Sequence, residues 1–311
     1  MAILLSLSGK QPDKLIQAFQ RYSEKSAIRL PAIFTEVSEE QVDIVKAVVS
    51  WKHPHGSLRR FKNLAFIASY GAGVDGVIAD PDLPDVPVTR LVDPGLKHQM
   101  ARFVIWAVME HELNARQMRH QQQQQHWLDV PRTTVNKITV LGLGELGAYV
   151  ASQLAGLGFE VSGWSRSAKN LPDVMSYSGN QGLNEALTGA DIVINLLPLT
   201  TALVGILNKD TLSLMAKGSY LINVARGAHL EETDLVTLIN EGHLTGACLD
   251  VVRQEPLSAS SPLWSMKGVT ISPHVASLSS LDELAKQVMT NYDNVMNGKP
   301  LHYTISRHHG Y

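Results

Sequence analysis

The chain is expected to fold as a two-domain α/β protein built on parallel sheets, and three features carry that expectation. The first is an apolar β-type run, Lys137-Ile-Thr-Val-Leu141, which ends in the GxGxxG segment Gly142-Leu-Gly-Glu-Leu-Gly147 and opens onto a helical pattern. The second is the alternation of strand-like and helix-like segments on both sides of it. The third is size and composition, because 311 residues, 44% hydrophobic and 18% charged, can build two ordinary cores.

The N-terminal part reads as a strand near Ile3 to Leu7, a helix over Pro12 to Tyr22, a short strand near Ala27 to Leu30 and a helix around Glu39 to Val42. A strand Ala47 to Ser50 follows, then a strand Ala65 to Ser69 that opens into Tyr70-Gly-Ala-Gly-Val-Asp75. These elements make a small α/β unit over residues 1–93. After the proline-punctuated segment Asp80 to Pro94, a long helix from Lys97 to about Arg119 leads into a second domain over residues 94–279. The chain returns in a final helix, Leu281 to Met296. Its Leu284, Val288 and Val295 recur at roughly helical spacing, so residues 280–311 are expected to pack back on the first domain. The tract Gln121 to Gln125, flanked by His120 and His126, is too short for a prion-like assignment and reads as a polar helix end or loop without chemistry.

Within the GxGxxG segment, Gly142 permits a tight turn, Gly144 lets a pyrophosphate approach the backbone, and Gly147 lets the following helix pack on the strand. Glu145 and Leu146 occupy the start of that helix, whose unpaired amides face the phosphates. The strand, a helix Ala148 to Leu157 ended by Gly158, and a second strand Phe159-Glu-Val-Ser-Gly-Trp164 complete a βαβ unit of about 30 residues, as a Rossmann dinucleotide site requires. An NAD site places Asp or Glu after that second strand; this chain reads Ser165-Arg166-Ser167-Ala168-Lys169. A carboxylate would repel a 2′-phosphate, whereas Arg166 can grip it and Ser165 and Ser167 can donate to it. NADP(H) is therefore the expected cofactor, with NAD(H) possible.

The formal charge of −2, with both signs mixed along the chain, gives no footprint for nucleic acid or an anionic membrane. A single cysteine, Cys248, rules out an internal disulfide, fits a reducing compartment and is expected to lie inert in a strand. The apolar start Met1 to Ser8 lacks a basic leader and reads as a first buried strand, and no stretch approaches the roughly 18 apolar residues of a membrane span. A soluble cytoplasmic protein follows. No metal is expected, since the histidines, His308-His309 included, show no HExxH or Cys/His ligand spacing.

Three further segments each place one functional side chain at the end of an expected strand, where open α/β sheets bind ligands. They are Tyr220-Leu-Ile-Asn-Val-Ala-Arg-Gly227, Leu249-Asp-Val-Val-Arg-Gln-Glu-Pro256 and Val269-Thr-Ile-Ser-Pro-His274. Arg226 offers a cationic fork for a carboxylate or a developing oxyanion, Glu255 is a carboxylate, and His274 is a general acid-base. Together they suit a reduction site.

With Gly71-Ala-Gly-Val-Asp75, GLGELG, Trp164-Ser-Arg-Ser167, Asn195-Leu-Leu-Pro198, Pro262-Leu-Trp264, Pro273-His-Val-Ala276 and the terminal Gly310-Tyr311, these segments resemble the D-2-hydroxyacid dehydrogenase family, and within it the glyoxylate/hydroxypyruvate reductase A group. The resemblance implies a flavodoxin-like substrate domain over 1–93 and 280–311, with the Rossmann domain inserted as 94–279 and a cleft at their junction. It implies a small 2-keto acid whose carboxylate is held by amides near Ala72, Gly73 and Val74 and by Arg226, while its carbonyl carbon faces the nicotinamide. His274 protonates the carbonyl oxygen as hydride arrives, and Glu255 orients the imidazole and stabilises its charged form. Arg226 also polarises the carbonyl. By the same resemblance Leu197, Pro198, Val224, Ala225 and Asp250 line the cofactor, Met100 approaches the nicotinamide, and Trp51 and Tyr70 border the substrate. The segment carrying Trp127 reaches across a two-fold homodimer into the partner's substrate cleft; the alternative is an intrachain packing anchor.

The chain departs from the family pattern at Arg102, where many members carry Glu, and at Ala276-Ser277, where they carry Gly-Ser. Tyr70, in place of a small aliphatic residue, crowds or extends the pocket. A rival reading is a non-enzymatic NAD(P)-binding regulator on the same fold, against which the intact Arg226, Glu255 and His274 argue. A formate-type dehydrogenase would place Gln beside the histidine instead of Glu255.

Overall fold

The computed structural model describes residues 1–306; His308-His309 and Gly310-Tyr311 lie outside the described residues. The chain divides into two compact units, residues 1–95 with 279–311, and residues 96–278.

In the first unit β1 (Ala2–Leu7) leads into α1 (Pro12–Lys25), followed by β2 (Ala32–Phe34), a 3-10 turn (Glu39–Ile44), β3 (Val45–Trp51), β4 (Phe66–Ser69), the single-turn α2 (Asp75–Ile78) and β5 (Val88–Thr89). All five strands are parallel, in the order β2-β1-β3-β4-β5. The second strand is Ala32–Phe34, not Ala27 to Leu30 as expected. Pro31 supplies no amide to a ladder, so pairing starts one residue beyond it, with Ala32 opposite Ala2. Ile28 is meanwhile held in a turn, its amide on Ser26 Oγ and its carbonyl accepting from Ser23 Oγ.

The second unit is entered along α3 (Pro94–Glu112) and α4 (Ala115–Gln123), continues through β6 (Lys137–Leu141), α5 (Glu145–Gly156), β7 (Glu160–Ser165), β8 (Val174–Ser178), α6 (Gly179–Leu187), β9 (Ile192–Asn195), α7 (Lys209–Leu212), β10 (Ser219–Asn223), α8 (Glu232–Asn240) and β11 (Leu244–Leu249), and closes with β12 (Val269–Ile271). Its seven strands are all parallel, ordered β12-β11-β10-β9-β6-β7-β8. The order reverses between β6 and β9, and such a switch opens a crevice at the carboxyl ends of the strands. Val104, Ala107 and Val108 of α3 pack with Val150 and Leu154 of α5 and Ile138 and Val140 of β6, while Leu187, Leu212, Leu235 and Leu238 pack with Val193 and Leu221. The single long helix expected over Lys97 to Arg119 is broken. Asn114, at φ +51, takes the left-handed conformation that asparagine tolerates and turns the chain between α3 and α4.

The chain returns to the first unit in α9 (Leu281–Met296). Leu284, Val288 and Met289 pack with Leu15, Ala18 and Phe19 of α1 over Ile3 and Leu5 of β1, which completes one of the two cores around that sheet.

At the foot of the second sheet His111 stacks on Tyr220, with centroids 4.4 Å apart and planes at 16°. Burial, aided by the Arg116 charge, pushes the imidazole down to about 4, while burial raises the Tyr220 hydroxyl. The folded state therefore keeps His111 neutral while the unfolded chain protonates from about pH 6.5. The associated stability is complete above about 6.5 and is lost as pH falls towards 4. His111→Phe, which keeps the stack, should make unfolding less sensitive to acid by about 1–2 kcal/mol between pH 7 and 5, allowing for partial exposure. Urea titrations at the two pH values check this, and parallel losses in variant and parent would contradict it.

Candidate active site

The residues after β6 are shaped by close packing. Gly142 lies at φ +98, and a Cβ on Gly147 would stand 1.7 Å from the Gly142 carbonyl oxygen, so the first turn of α5 can approach β6 only as glycine. A Cβ on Gly144 would meet nothing within 4 Å. Helix α5 starts at Glu145, three residues earlier than the sequence pattern suggests, and the amides of Glu145 and Leu146 have no acceptor among the described residues. Open space before unpaired helix amides fits a dinucleotide pyrophosphate. Arg166 and Ser167 are exposed beyond β7, but Ser165 is buried and its hydroxyl donates to the Ser167 carbonyl at 2.8 Å. The Ser165 hydroxyl, expected to donate to a phosphate, here shapes the loop that presents Arg166 and Ser167. Leu197, Val224 and Ala225 are buried with only their edges accessible, Pro198 is exposed, and Met100 is buried in the core beneath α3.

At the carboxyl ends of the neighbouring strands the structure brings Glu255 and His274 together. The imidazole Nδ1 lies 3.0 Å from Glu255 Oε2, both side chains being partly exposed. A carboxylate can only accept, so Nδ1 carries the hydrogen and Nε2 is left as the reactive nitrogen. Arg226 follows β10 and is half-buried, one guanidinium nitrogen donating to the Ala225 carbonyl at 2.8 Å.

His274 sits at φ +57, an uncommon conformation for a side chain of its kind, and Asp250 holds it there. The Asp250 carbonyl accepts from the His274 amide at 2.8 Å; its carboxylate accepts from Ser272 Oγ at 2.6 Å, Val275 N at 2.8 Å and Ala276 N at 2.9 Å. Asp250 is almost wholly buried. Expected to line the cofactor, Asp250 also braces the loop that carries His274.

A second buried network lies beneath Arg226. Asn195 Nδ2 donates to Asn223 Oδ1 and to His229 Nδ1, both at 3.0 Å; Asn223 Nδ2 donates to the Arg226 carbonyl at 3.2 Å, and His229 Nε2 reaches the Pro198 carbonyl at 3.3 Å. All three side chains are inaccessible. Donation by Asn195 makes Nδ1 an acceptor and leaves the proton on Nε2, so His229 is a neutral strut linking the loops after β9 and β10. Sequence reading passed over it because a lone His two positions after Gly227 carries no motif. Cys248 lies in β11, its thiol pushed up to about 12 by burial, as the expectation of an inert cysteine requires.

In the first unit the turn after β4 leaves the amides of Ala72, Gly73 and Val74 without acceptors among the described residues, while the Gly73 carbonyl accepts from Ser69 Oγ at 2.7 Å. Trp51 and Tyr70 are half-buried beside it in an edge-to-face pair, centroids 5.9 Å apart. Trp127 in the second unit is fully exposed, which excludes the intrachain packing anchor. No group of three or more His, Cys, Asp or Glu side chains suited to a metal occurs among the described residues, and no helix is long and apolar enough to cross a membrane.

Comparisons with known proteins identify the family. The family model of the D-isomer specific 2-hydroxyacid dehydrogenase NAD-binding domain matches residues 105–276. Glyoxylate/hydroxypyruvate reductase A of Enterobacter sp. (strain 638) is 37% identical over 268 residues, covering 83% of this chain and 86% of that protein. The crystal structure of a D-isomer specific 2-hydroxyacid dehydrogenase from Xanthobacter autotrophicus Py2, in complex with NADPH and MES, superposes with a TM-score of 0.90 at 35% identity, over 100% of this chain and 99% of that one. An NADPH-dependent glyoxylate/hydroxypyruvate reductase from Sinorhizobium meliloti, in complex with NADP and sulfate, gives 0.90 at 29% identity with the same coverage. The chain belongs to the D-isomer specific 2-hydroxyacid dehydrogenase family and is an NAD(P)-dependent dehydrogenase.

Proposed function

We propose that the chain reduces small 2-keto acids, glyoxylate and hydroxypyruvate among them, to 2-hydroxy acids with NADPH as the preferred cofactor. The observation that carries this reading is the His274–Glu255 pair, held at 3.0 Å after β12 and β11 with Arg226 following β10. When bound, the reduced nicotinamide supplies the hydride. His274 Nε2 gives the proton to the carbonyl oxygen, Glu255 fixes the ring and balances its charge, and Arg226 holds the substrate carboxylate and polarises the carbonyl. The first unit contributes the free amides of Ala72, Gly73 and Val74 for that carboxylate, with Trp51 and Tyr70 bordering the substrate. In the second unit Gly142, Gly144, Glu145, Leu146 and Gly147 receive the pyrophosphate, Leu197, Pro198, Val224, Ala225 and Met100 bound the rest of the cofactor, and Arg166 and Ser167 select the 2′-phosphate. NADP and NADPH complexes of related structures support that selection. A panel of 2-keto acids assayed with NADPH and with NADH tests activity, substrate size and cofactor choice together; failure with every acid would overturn the reading.

Arg166→Ala should weaken NADPH binding by about 10- to 100-fold, the worth of a charge-assisted bond to phosphate, and leave NADH nearly unaffected. Equal losses with both cofactors would make Arg166 structural.

The single cysteine, buried as a free thiol, supports a reducing compartment such as the cytoplasm. Trp106, Met118, Trp127 and Leu128 all present apolar surface along α3, α4 and the segment that follows, and such a patch suits a homodimer interface. In that assembly Trp127 forms a wall of the partner's substrate site. Trp127→Ala should therefore raise KM for the keto acid and spare cofactor affinity; sedimentation of the parent as an active monomer would dismiss the role.

A further inference from the structure

Three strand ends of the first unit converge on one aromatic platform. Trp51 ends β3, and its neighbour Ser50 starts a buried chain of hydrogen bonds: Ser50 Oγ lies 2.6 Å from His53 Nδ1, and His53 Nε2 lies 3.0 Å from Asp80 Oδ2. Asp80 in turn accepts from the amides of Gly56 and Asp82, which with the His53 bond outweigh burial and hold its carboxyl below the usual carboxylate range. The Trp51 carbonyl accepts from Ser8 N at 3.0 Å, which ties the turn after β1 to the platform, and the Ser50 carbonyl accepts from Tyr70 N at 2.9 Å, which ties β4 to it. The backbone that carries the indole is thus tied on both sides, and Tyr70 packs edge-to-face with the ring.

Lys10 lies on this platform. Its Nζ is 5.2 Å from the centroid of the Trp51 ring and 5.8 Å from that of Tyr70, within cation–π range of both, and it makes no ion pair among the described residues. A Cβ at Gly71 would stand 3.2 Å from Trp51 Cζ3, so the indole also abuts the turn whose Ala72, Gly73 and Val74 amides lack acceptors among the described residues. The same aromatic pair is therefore in contact with both a turn whose amides can accept an anion and an ammonium group.

We propose that Lys10 is a specificity-determining residue that binds a second anionic group on the substrate, so that the preferred class is 2-keto acids carrying a distal carboxylate. The proposal rests on the reductase reading only for the keto-acid end. Tyr70 serves it directly, since its ring supplies the second face on which Lys10 rests. Two aromatic faces hold the ammonium without neutralising it, so the full charge remains available to a ligand anion.

The test pairs 2-oxoglutarate with 2-oxopentanoate, which share a five-carbon chain and differ in the terminal carboxylate. NADPH turnover and calorimetric binding to the NADP⁺-loaded protein are both read. The parent should favour 2-oxoglutarate by about tenfold, as expected for one charge-assisted contact. Lys10→Met should collapse that ratio to near one, Lys10→Arg should retain it, and Lys10→Glu should invert it. A parent that binds the two acids equally, or a Lys10→Met variant that loses both in proportion, would overturn the proposal and leave Lys10 as packing on the rings. Discrimination in binding without turnover of any keto acid would keep the anion subsite and discard the reductase reading instead.

Discussion

Replacing His274 with asparagine should lower kcat/KM for keto-acid reduction by about two to four decades, the usual worth of a positioned general acid. NADPH affinity should stay close to that of the parent, because the imidazole acts on the substrate carbonyl. The Glu255→Gln variant separates two parts of the pair. Its amide oxygen can still accept from Nδ1 at 3.0 Å, so ring orientation survives while the counter-charge is lost. The pair is 38% and 30% exposed on its two sides, so water screens part of that charge, and the loss should be smaller, about one to two decades. Steady-state rates of NADPH consumption with glyoxylate measure both effects. A His274→Asn enzyme within threefold of the parent would remove the histidine from the proton transfer.

The elements that could be read from the sequence are those in which local pattern and tertiary demand agree. Strand β6 with the GxGxxG turn is one, since glycine at Gly147 answers a contact so close that no other residue fits. The strand-end placement of Arg226, Glu255 and His274 was legible for the same reason, as was the final helix Leu281–Met296, whose apolar spacing matches its packing on α1. The misses are places where one backbone or side-chain choice outweighs the pattern. The helix expected from Lys97 to about Arg119 runs through Asn114, yet a single left-handed residue ends it. Pro31 moves the second strand beyond the Ala27 to Leu30 stretch where it is expected. The inward turn of Ser165 onto the Ser167 carbonyl has no signature in the Ser-Arg-Ser pattern either. Lys10 and His229 belong to no motif, and their surroundings are assembled from segments about 40 to 60 and about 30 residues away in the chain.

Asp250 makes the sharpest test of the distinction between lining a cofactor and building the loop that does the chemistry. Asp250→Ala removes the acceptor for Ser272 Oγ, Val275 N and Ala276 N in a site that is 2% exposed. At about 1 kcal/mol for each bond, and more where a donor is left buried and unsatisfied, the variant should lose about 3 kcal/mol or more of stability. His274 would then be freer to leave φ +57, a conformation the loop sustains in large part through these bonds and the Asp250 carbonyl. Displacing Nε2 by an ångström or so from the carbonyl oxygen is enough to cost about 100-fold in kcat. Asp250→Asn, which keeps one acceptor oxygen but turns an NH2 group towards the remaining donors, should fall between the two. Denaturant unfolding and kcat, measured on the same preparations at a temperature where each variant is fully folded, separate the stability loss from the catalytic one. If Asp250→Ala were destabilised yet turned over at the parental rate once folded, the loop geometry would owe nothing to this carboxylate. If it instead lost NADPH affinity with kcat intact, Asp250 would belong to the cofactor after all.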